Sequence, residues 1–461
     1  MRRSFANILL IIVLAAAGQA GDRVYTGDQT SNTVSVIDPV TNRLLGTIRL
    51  GQAVPAALSP LYHGALLVHG LGFSSSLKML AVVSIGSNSV TLIDTETNTV
   101  KGTIYVGRSP HEAFFRPGGH ELWVAVRGEN YVSIVDPVRL REARRIVTAN
   151  GPGMVMFRPD GKYAFVPSSF TPEMDVIDTA TYKVVARVPQ TSPFSPNLAV
   201  DQDEVWFTLK DSGKTQVVAA EPPFRTLAVL DTGPITNHVT LVTNGAGRFA
   251  YITVGGTDEV LAYRRDRGKP PKLIATVRTG DMPHGIWGSG DGSRVYVGLE
   301  NGDCVQAIDA ATNRVIATIP VGQLPQALVY VPAATISEAG NVNLRPLGAA
   351  AEALHFELVP PAGAISGAHA SVSVNSLGPI DNIQVAVTGL RPAETYRLVL
   401  TGGLQPQDLV TFQAGIGGTA IPQSFGPIKR ALRPSDKVPA MTLEVRSGES
   451  GGDLVLRQAR N

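Results

Sequence analysis

Short runs of alternating apolar and polar residues recur along most of this chain. Many of them end in aspartate, as in Asn-Thr-Val-Ser-Val-Ile-Asp at 32–38. The run returns at 88–94, 131–136, 174–178 and 304–309, and in degraded form at 216–219 and 259–263. A period of two in side-chain polarity is typical of β-strands that pack face to face. The pattern therefore predicts an all-β protein.

The spacing of the runs predicts the architecture. Successive aspartates, or the residues that replace them, lie 56, 42, 42, 41, 44 and 46 positions apart. A period in the low forties with several short strands per unit is the signature of propeller blades. Seven units are present, and each aspartate is expected to cap the turn that follows it through its side chain.

A second feature of the repeat is Val-Gly-x-x-Pro, clearest at 106–110 and 321–325. With the aspartate run, it makes residues 24 to 332 resemble the YVTN-repeat (YncE-like) propeller family. The resemblance implies a seven-bladed scaffold with binding or surface roles and no shared set of catalytic residues. Ala219 and Tyr263 depart from the pattern, since they stand where aspartate is expected.

The two ends of the repeat region are each incomplete. The chain enters at 24–27 on a sequence that matches a second strand of a blade, and 325–331 matches a first strand with no blade after it. We expect these segments to pair and complete blade one, because an open sheet edge invites association with other strands.

The long first spacing indicates an insertion at 61–78, which we place between the first and second strands of blade two. It contains His63 and His69 in a glycine-rich apolar setting. The histidines suggest a metal site, and an extended hairpin that covers one face of the disc is the competing interpretation.

Beyond about residue 336 the blade pattern stops. Alternation continues at 371–374, 383–387 and 396–400, and the stretch 389–396 looks like the tyrosine corner of fibronectin type III-like sandwiches, with Tyr396 buried. We therefore predict a propeller at 21–335 followed by a small β-sandwich at 341–461 that folds separately.

The first twenty residues predict export. Arg2 and Arg3 precede an apolar run at 8–17, and small residues follow at 18 and 20. This is the pattern of a cleaved signal peptide at 1–20, whereas a retained membrane anchor would need a longer apolar run. The mature protein is expected in the periplasm or outside the cell, without a transmembrane anchor.

Composition narrows the possible partners. The chain has 40 basic and 38 acidic residues, and removal of the signal also removes two arginines. A balanced charge gives no support for nucleic-acid binding. The sequence also lacks a haem-attachment motif, a nucleophile elbow, a phosphate loop and a His-Glu-x-x-His motif.

The remaining candidate site is a ring at the start of the innermost strands. Three of the eight histidines occupy this one repeat position, and Arg127 and Glu300 end the neighbouring strands on the same face. The seven ring residues are Ala56, His111, Gly153, Asn197, His238, His284 and Gln326.

Three functions fit this ring. The first is a non-enzymatic exported propeller that binds a protein or a small ligand at the channel mouth through His111, His238, His284, Arg127, Glu300, Asn197 and Gln326. The second is a metal- or cofactor-dependent enzyme or maturation factor, with a transition metal held by His111, His238 and His284. The third is a surface protein that only adheres. A histidine after proline can also be purely structural and hydrogen-bond the neighbouring blade.

Overall fold

The computed structural model describes residues 21–51, 66–195, 197–362, 367–378, 380–433 and 440–459. The predicted signal peptide at 1–20, the ring residue Ala56 and His63 lie outside these ranges. No helix in the described ranges has the length and apolar character needed to span a membrane.

Seven four-stranded antiparallel sheets form the propeller. Blade one contains β1 (Arg23–Asp28), β2 (Thr33–Asp38) and β3 (Arg43–Arg49). Blade two contains β4 (Val68–Ser74), β5 (Met79–Ser84), β6 (Ser89–Asp94) and β7 (Thr99–Tyr105). Blade three contains β8 (Pro110–Phe115), β9 (Leu122–Val126), β10 (Tyr131–Asp136) and β11 (Arg141–Val147). Blade four contains β12 (Met156–Phe157), β13 (Tyr163–Pro167), β14 (Glu173–Asp178) and β15 (Lys183–Pro189).

The remaining blades follow in chain order. Blade five contains β16 (Leu198–Val200), β17 (Glu204–Leu209), β18 (Lys214–Ala219) and β19 (Thr226–Asp231). Blade six contains β20 (Thr236–Asn244), β21 (Gly247–Val254), β22 (Glu259–Arg264) and β23 (Lys272–Arg278). Blade seven contains β24 (Pro283–Gly288), β25 (Arg294–Leu299), β26 (Cys304–Asp309) and β27 (Arg314–Pro320), and β28 (Pro325–Val331) returns to blade one.

The closure of the ring is confirmed. Strand β28 pairs antiparallel with β1, with Arg23 opposite Val331 and Tyr25 opposite Val329. Because β28 supplies the innermost strand of blade one, neither end of the repeat region leaves that inner sheet edge open. The seven-bladed propeller is thus closed by joining the last strand to the first.

The aspartates that end the repeated run cap the following turns, as predicted. Asp38 accepts a hydrogen bond from the backbone N–H of Val40 at 2.9 Å, and Asp309 accepts one from Thr312 at 2.8 Å. Between blades, apolar side chains pack face to face, and Trp123 and Trp206 are fully buried there. The repeated phrase therefore encodes a turn and two packing faces.

The insertion in blade two lies elsewhere than predicted. The predicted insertion at 61–78 contains β4, the first strand of this blade, so it does not separate the first and second strands. Glycine explains why this strand was missed, because Gly70 and Gly72 weaken the strand pattern. A Cβ at Gly70 would lie 2.2 Å from the carbonyl oxygen of His111, so the close approach of β4 to β8 requires glycine.

The C-terminal domain is a single curled sheet. Two 3₁₀ turns (Glu338–Asn343 and Gly348–Glu352) lead into it. Its elements are β29 (Leu354–Val359), β30 (His369–Ser376), β31 (Asp381–Thr388), β32 (Thr395–Thr401), β33 (Gln407–Gln413), β34 (Gln423–Gly426), α1 (Ile428–Leu432), β35 (Thr442–Ser447) and β36 (Leu454–Gln458).

The strand order of this domain is β33-β32-β35-β36-β29-β30-β31-β34. Its two edges approach each other, since the hydroxyl of Ser424 donates to the carbonyl of Leu409 at 2.7 Å. The all-β prediction is confirmed, but where a fibronectin type III-like sandwich has two sheets, this domain is a nearly closed barrel. Strand β29 bonds both β36 and β30 and so joins the two halves.

The predicted tyrosine corner is present in the barrel. Tyr396 is buried, and its hydroxyl accepts a hydrogen bond from the upstream backbone N–H of Arg391 at 3.0 Å. We expect Tyr396→Phe to lower the free energy of unfolding of the barrel by about 1 kcal/mol, the net value of a buried hydrogen bond. Urea denaturation measures it, with the exposed Tyr105→Phe as the control. An unchanged midpoint for Tyr396→Phe would contradict this role.

Candidate functional site in the propeller channel

The three ring histidines found in the sequence lie at the starts of innermost strands around the channel. His111 is on β8, His238 on β20 and His284 on β24, and all three side chains are buried. The rings of His238 and His284 are neighbours, with centroids 4.5 Å apart. The two histidines belong to the adjacent blades six and seven.

A fourth histidine completes the cluster. His69 lies on β4, the innermost strand of blade two, where the sequence had suggested Ala56. Its ring centroid is 4.3 Å from that of His111 and 6.3 Å from that of His284. His69 therefore joins His111 to the His238–His284 pair. Its place in the ring is indicated by the sequence Val-His-Gly at 68–70, which resembles Pro-His-Gly at 283–285 in blade seven.

Hydrogen bonds fix the tautomers of two histidines. Nδ1 of His111 lies 2.7 Å from the carbonyl oxygen of Gly153, and Nδ1 of His284 lies 2.8 Å from that of Gln326. A carbonyl only accepts, so each Nδ1 carries the proton and each Nε2 keeps a lone pair. Both histidines thus link neighbouring blades, which is a structural role. The Nε2 atom of each remains able to accept a hydrogen bond or to bind a metal ion.

His238 has the opposite arrangement. The backbone N–H of Val239 donates to Oδ1 of Asn197 at 3.0 Å, which orients the amide so that its Nδ2 donates to Nδ1 of His238 at 3.1 Å. The Nε2 of a neutral His238 then carries the proton and acts as a donor. Asn197 is therefore part of the site as the group that orients His238.

Burial keeps all four imidazoles neutral. Desolvation lowers the pKa of His69 to about 3, and it lowers the pKa of His111, His238 and His284 well below the usual range. A smaller contribution comes from the cationic Arg127, which further lowers the pKa of His69 and His111. Neutral imidazoles can accept protons, donate hydrogen bonds or bind metals.

Two buried carboxyl groups flank the cluster. Oε2 of Glu300 lies 3.8 Å from Nε2 of His284. The second is Glu112, which the sequence did not indicate; its Oε1 lies 3.8 Å from Nδ1 of His69. Burial raises the pKa of Glu112 to about 8, although a hydrogen bond from the backbone of Leu71 partly offsets this.

The predicted residue Arg127 contacts two aromatic rings. Its guanidinium stacks over the ring of Phe194 at 4.7 Å and lies 5.9 Å from the ring of Phe170. Burial lowers its pKa to about 10. Arg127 acts on the site through its charge, and its buried Nε has no hydrogen-bond partner among the described residues.

Several buried polar atoms around the channel have no hydrogen-bond partner among the described residues. They are His69 Nδ1, Glu112 Oε1, His238 Nε2, Glu300 Oε2 and Gln326 Nε2. Buried polar groups in native proteins are almost always satisfied, and a cavity lined by several of them holds water, an ion or a ligand. The cluster thus has the chemistry of a binding site.

The C-terminal barrel covers the channel mouth beside blades six and seven. Nε2 of Gln384 donates to Oε1 of Glu300 at 2.7 Å and to Oδ1 of Asn301 at 3.0 Å. Nδ2 of Asn375 donates to Asp303 at 3.0 Å. The mouth predicted as the binding entrance is therefore closed on this side by a polar interface.

A funnel reaches the same channel from the other end of the innermost strands. The cavity is about 430 Å³, and no residue of the barrel lines it. Its wall is mainly apolar, with the ring of Trp287 stacked on Phe114 at 6.0 Å and edge-on to Phe73 at 6.2 Å. Glu112 and His238 supply polar groups at its floor.

Comparisons with known proteins agree on the fold. No protein-family model matches the chain. No curated protein matches it in sequence either. Hydrazine synthase from Kuenenia stuttgartiensis is 18% identical with a TM-score of 0.51, and the match covers 57% of this chain and 89% of that chain.

Two further solved structures are similar. A functionally unknown protein from Desulfotomaculum acetoxidans is 10% identical with a TM-score of 0.57, covering 67% of this chain and 98% of that one. The periplasmic gluconolactonase of Pseudomonas aeruginosa is 18% identical with a TM-score of 0.54, covering 67% and 99%. At these identities the likenesses show the β-propeller fold alone, and membership of the YVTN-repeat family stays a prediction.

Proposed function

We propose that this chain is an exported β-propeller that binds a small, uncharged and partly apolar molecule in its channel, through the funnel opposite the barrel. The observation that carries the proposal is the cavity itself: an apolar wall with Trp287 above a floor of unpartnered polar atoms. Ligand sites in proteins combine an apolar lining with a few polar groups that orient the ligand.

The size and charge of the funnel narrow the ligand class. A volume of about 430 Å³ lies in the range of small-molecule sites. At neutral pH the floor carries little charge, because burial keeps His238 neutral and raises the pKa of Glu112 to about 8. A charged ligand would lose its hydration with no opposite charge to replace it. An uncharged ring with a hydroxyl or carbonyl oxygen fits the floor better.

A protein partner at the mouth and a purely adhesive role have less support. A protein partner at the mouth beside Glu300 would have to displace the barrel, whose Gln384 and Asn375 already bond that side. Adhesion alone leaves the buried polar atoms of the channel without a role. Export, to the periplasm or beyond, is the part of the proposal that depends on residues 1–20.

The funnel makes a testable prediction about 2-naphthol, an uncharged aromatic probe with one hydroxyl. Protein treated with EDTA at neutral pH is expected to bind 2-naphthol more tightly than the anion 2-naphthoate. Leu241 lies on the funnel wall, so a larger side chain at this position should obstruct the funnel. We expect Leu241→Trp to weaken binding of 2-naphthol at least about tenfold, a loss of about 1.4 kcal/mol, as measured by isothermal titration calorimetry.

The matched control is Val138→Trp, which adds the same side chain at an exposed turn of blade three. This control should bind 2-naphthol as the unaltered protein does. Equal binding by Leu241→Trp and Val138→Trp, or no binding by the unaltered protein, would contradict the proposed entrance.

A further inference from the structure

One group of buried side chains in the described residues has the composition of a metal site. His69, His111 and Glu112 each offer one ligand atom, and these atoms lie within 4.8 Å of one another. Nδ1 of His69 and Oε1 of Glu112 are 3.8 Å apart, and neither has a hydrogen-bond partner. If each of these two atoms lay about 2.1 Å from one ion, a wide ligand–ion–ligand angle would account for their separation.

We propose that His69, His111 and Glu112 bind a divalent first-row transition-metal ion of the Fe²⁺ or Zn²⁺ type. Two imidazoles and one carboxylate form the donor set that proteins use for such ions when coordination positions are left open. The proposal goes beyond binding of an organic molecule in the funnel, and it holds whether or not such a molecule enters.

The surroundings of the three ligands support this assignment. Nδ1 of His111 is bonded to the carbonyl of Gly153 at 2.7 Å, which leaves the Nε2 lone pair free. Such a carbonyl is a usual outer partner of a metal-binding histidine. Gly70 is also required, because a Cβ there would lie 2.7 Å from Oε2 of Glu112.

The structure favours this set over His111, His238 and His284, the set expected from the sequence. Nδ1 of His238 is already taken by Asn197 at 3.1 Å, so its Nε2 bears a proton and is a donor. Nε2 of His284 faces Glu300 at 3.8 Å. The atoms that come together around His111 belong to His69 and Glu112.

The position of Glu112 makes the proposed ion accessible from the funnel. Glu112 lines the funnel, whereas His69 and His111 do not, although their ligand atoms lie within 4.8 Å of that of Glu112. Ion positions not filled by the protein would therefore face the cavity. A small molecule with an oxygen or nitrogen donor could reach the ion from that side.

Titration of the full-length protein with Co²⁺ and then Zn²⁺, after EDTA treatment, tests the proposal. Co²⁺ should bind in a one-to-one ratio and develop visible ligand-field absorption, which Zn²⁺ should abolish by displacement. Glu112→Gln keeps the size of the side chain and removes the carboxylate, so it should weaken Co²⁺ binding about 100-fold or more. His69→Asn should weaken Co²⁺ binding to a similar extent. It provides a second test if Glu112→Gln fails to fold.

Two controls separate the proposal from its alternatives. Glu300→Gln removes another buried channel carboxyl, and His238→Asn removes a histidine of the alternative ligand set. Both should keep Co²⁺ affinity close to that of the unaltered protein. The proposal is overturned by the absence of Co²⁺ binding, by full affinity in folded Glu112→Gln, or by equal losses in the two controls. Binding of 2-naphthol is measured separately, so failure of one proposal is distinguishable from failure of the other.

Discussion

A chain that ends at Gly322 is expected to lose the cooperative thermal transition of the propeller. This truncation removes β28, whose residues are all buried against β1 and the neighbouring blades. Four of its large apolar side chains, Leu328 to Val331, are almost fully buried. Exposing each costs about 1.5–3 kcal/mol, so the total is comparable with the whole stability of a typical domain, about 5–15 kcal/mol.

A chain that ends at Leu347 is the matched control. It also lacks the barrel but keeps β28 and the backbone pairing of Thr47 with Arg345. The three tryptophans lie at 123, 206 and 287, so their fluorescence reports the propeller in both shortened chains. A cooperative transition in the Leu347 chain and none in the Gly322 chain is the expected pair of results. Equal transitions in the two chains would show that closure contributes nothing.

The stability that Asp28 contributes is expected to be lost as pH rises from about 4 to about 8. The carboxyl of Asp28, at the end of β1, accepts hydrogen bonds from Thr33 at 2.8 Å and Ser35 at 2.7 Å. Complete burial nevertheless raises its pKa from 3.8 to about 8. The folded state therefore holds a proton that the unfolded chain releases. The resulting stabilisation is complete at a pH below the pKa of Asp28 in the unfolded chain. It is lost as the pH rises towards the pKa of Asp28 in the folded state.

Asp303 adds to the same trend, because burial raises its pKa to about 7. Each group contributes a slope of at most about 1.4 kcal/mol per pH unit. Asp28→Asn imitates the protonated carboxyl and should therefore make the free energy of unfolding depend less steeply on pH. The control Asp231→Asn changes an exposed carboxyl and should leave this slope unchanged. Urea denaturation between about pH 7 and about pH 8, where histidines are neutral in both the folded and the unfolded state, measures the slopes. A slope in Asp28→Asn as steep as in the unaltered protein would contradict this account.

The propeller could be predicted because its information is local and repeated. Asp38, Asp136 and Asp309 cap equivalent turns, so a single phrase repeated along the chain defines each blade. The closing strand could also be inferred, since a first strand and a second strand were left over at opposite ends. The tyrosine corner at Tyr396 depends on a short local motif and was found for the same reason.

The candidate site was predicted only in part, because it depends on contacts between distant strands. His111, His238 and His284 share a repeat position and were found by it. His69 was noticed with His63 as a possible metal ligand, but its place in the ring was missed, because an insertion shifts it along the chain and glycines required for close backbone packing obscure β4. Glu112 gives no sequence signal of its own, and its importance comes from lying 3.8 Å from His69.

The cover over the channel mouth could not be read from the sequence at all. The contacts of Gln384 and Asn375 with blade seven join residues more than seventy positions apart. Each is an ordinary polar residue on a strand of the barrel, so neither composition nor spacing marks it. Their effect is to move the accessible side of the site from the predicted mouth to the funnel.

The most direct test of the central claim is a crystal structure of the full-length protein soaked with a brominated 2-naphthol, recorded for the anomalous signal of bromine. We expect a bromine peak inside the funnel, beside Trp287 and Phe114, with the naphthol oxygen directed to His238 and Glu112. A bromine peak only outside the channel, with the funnel free of the probe, would contradict it.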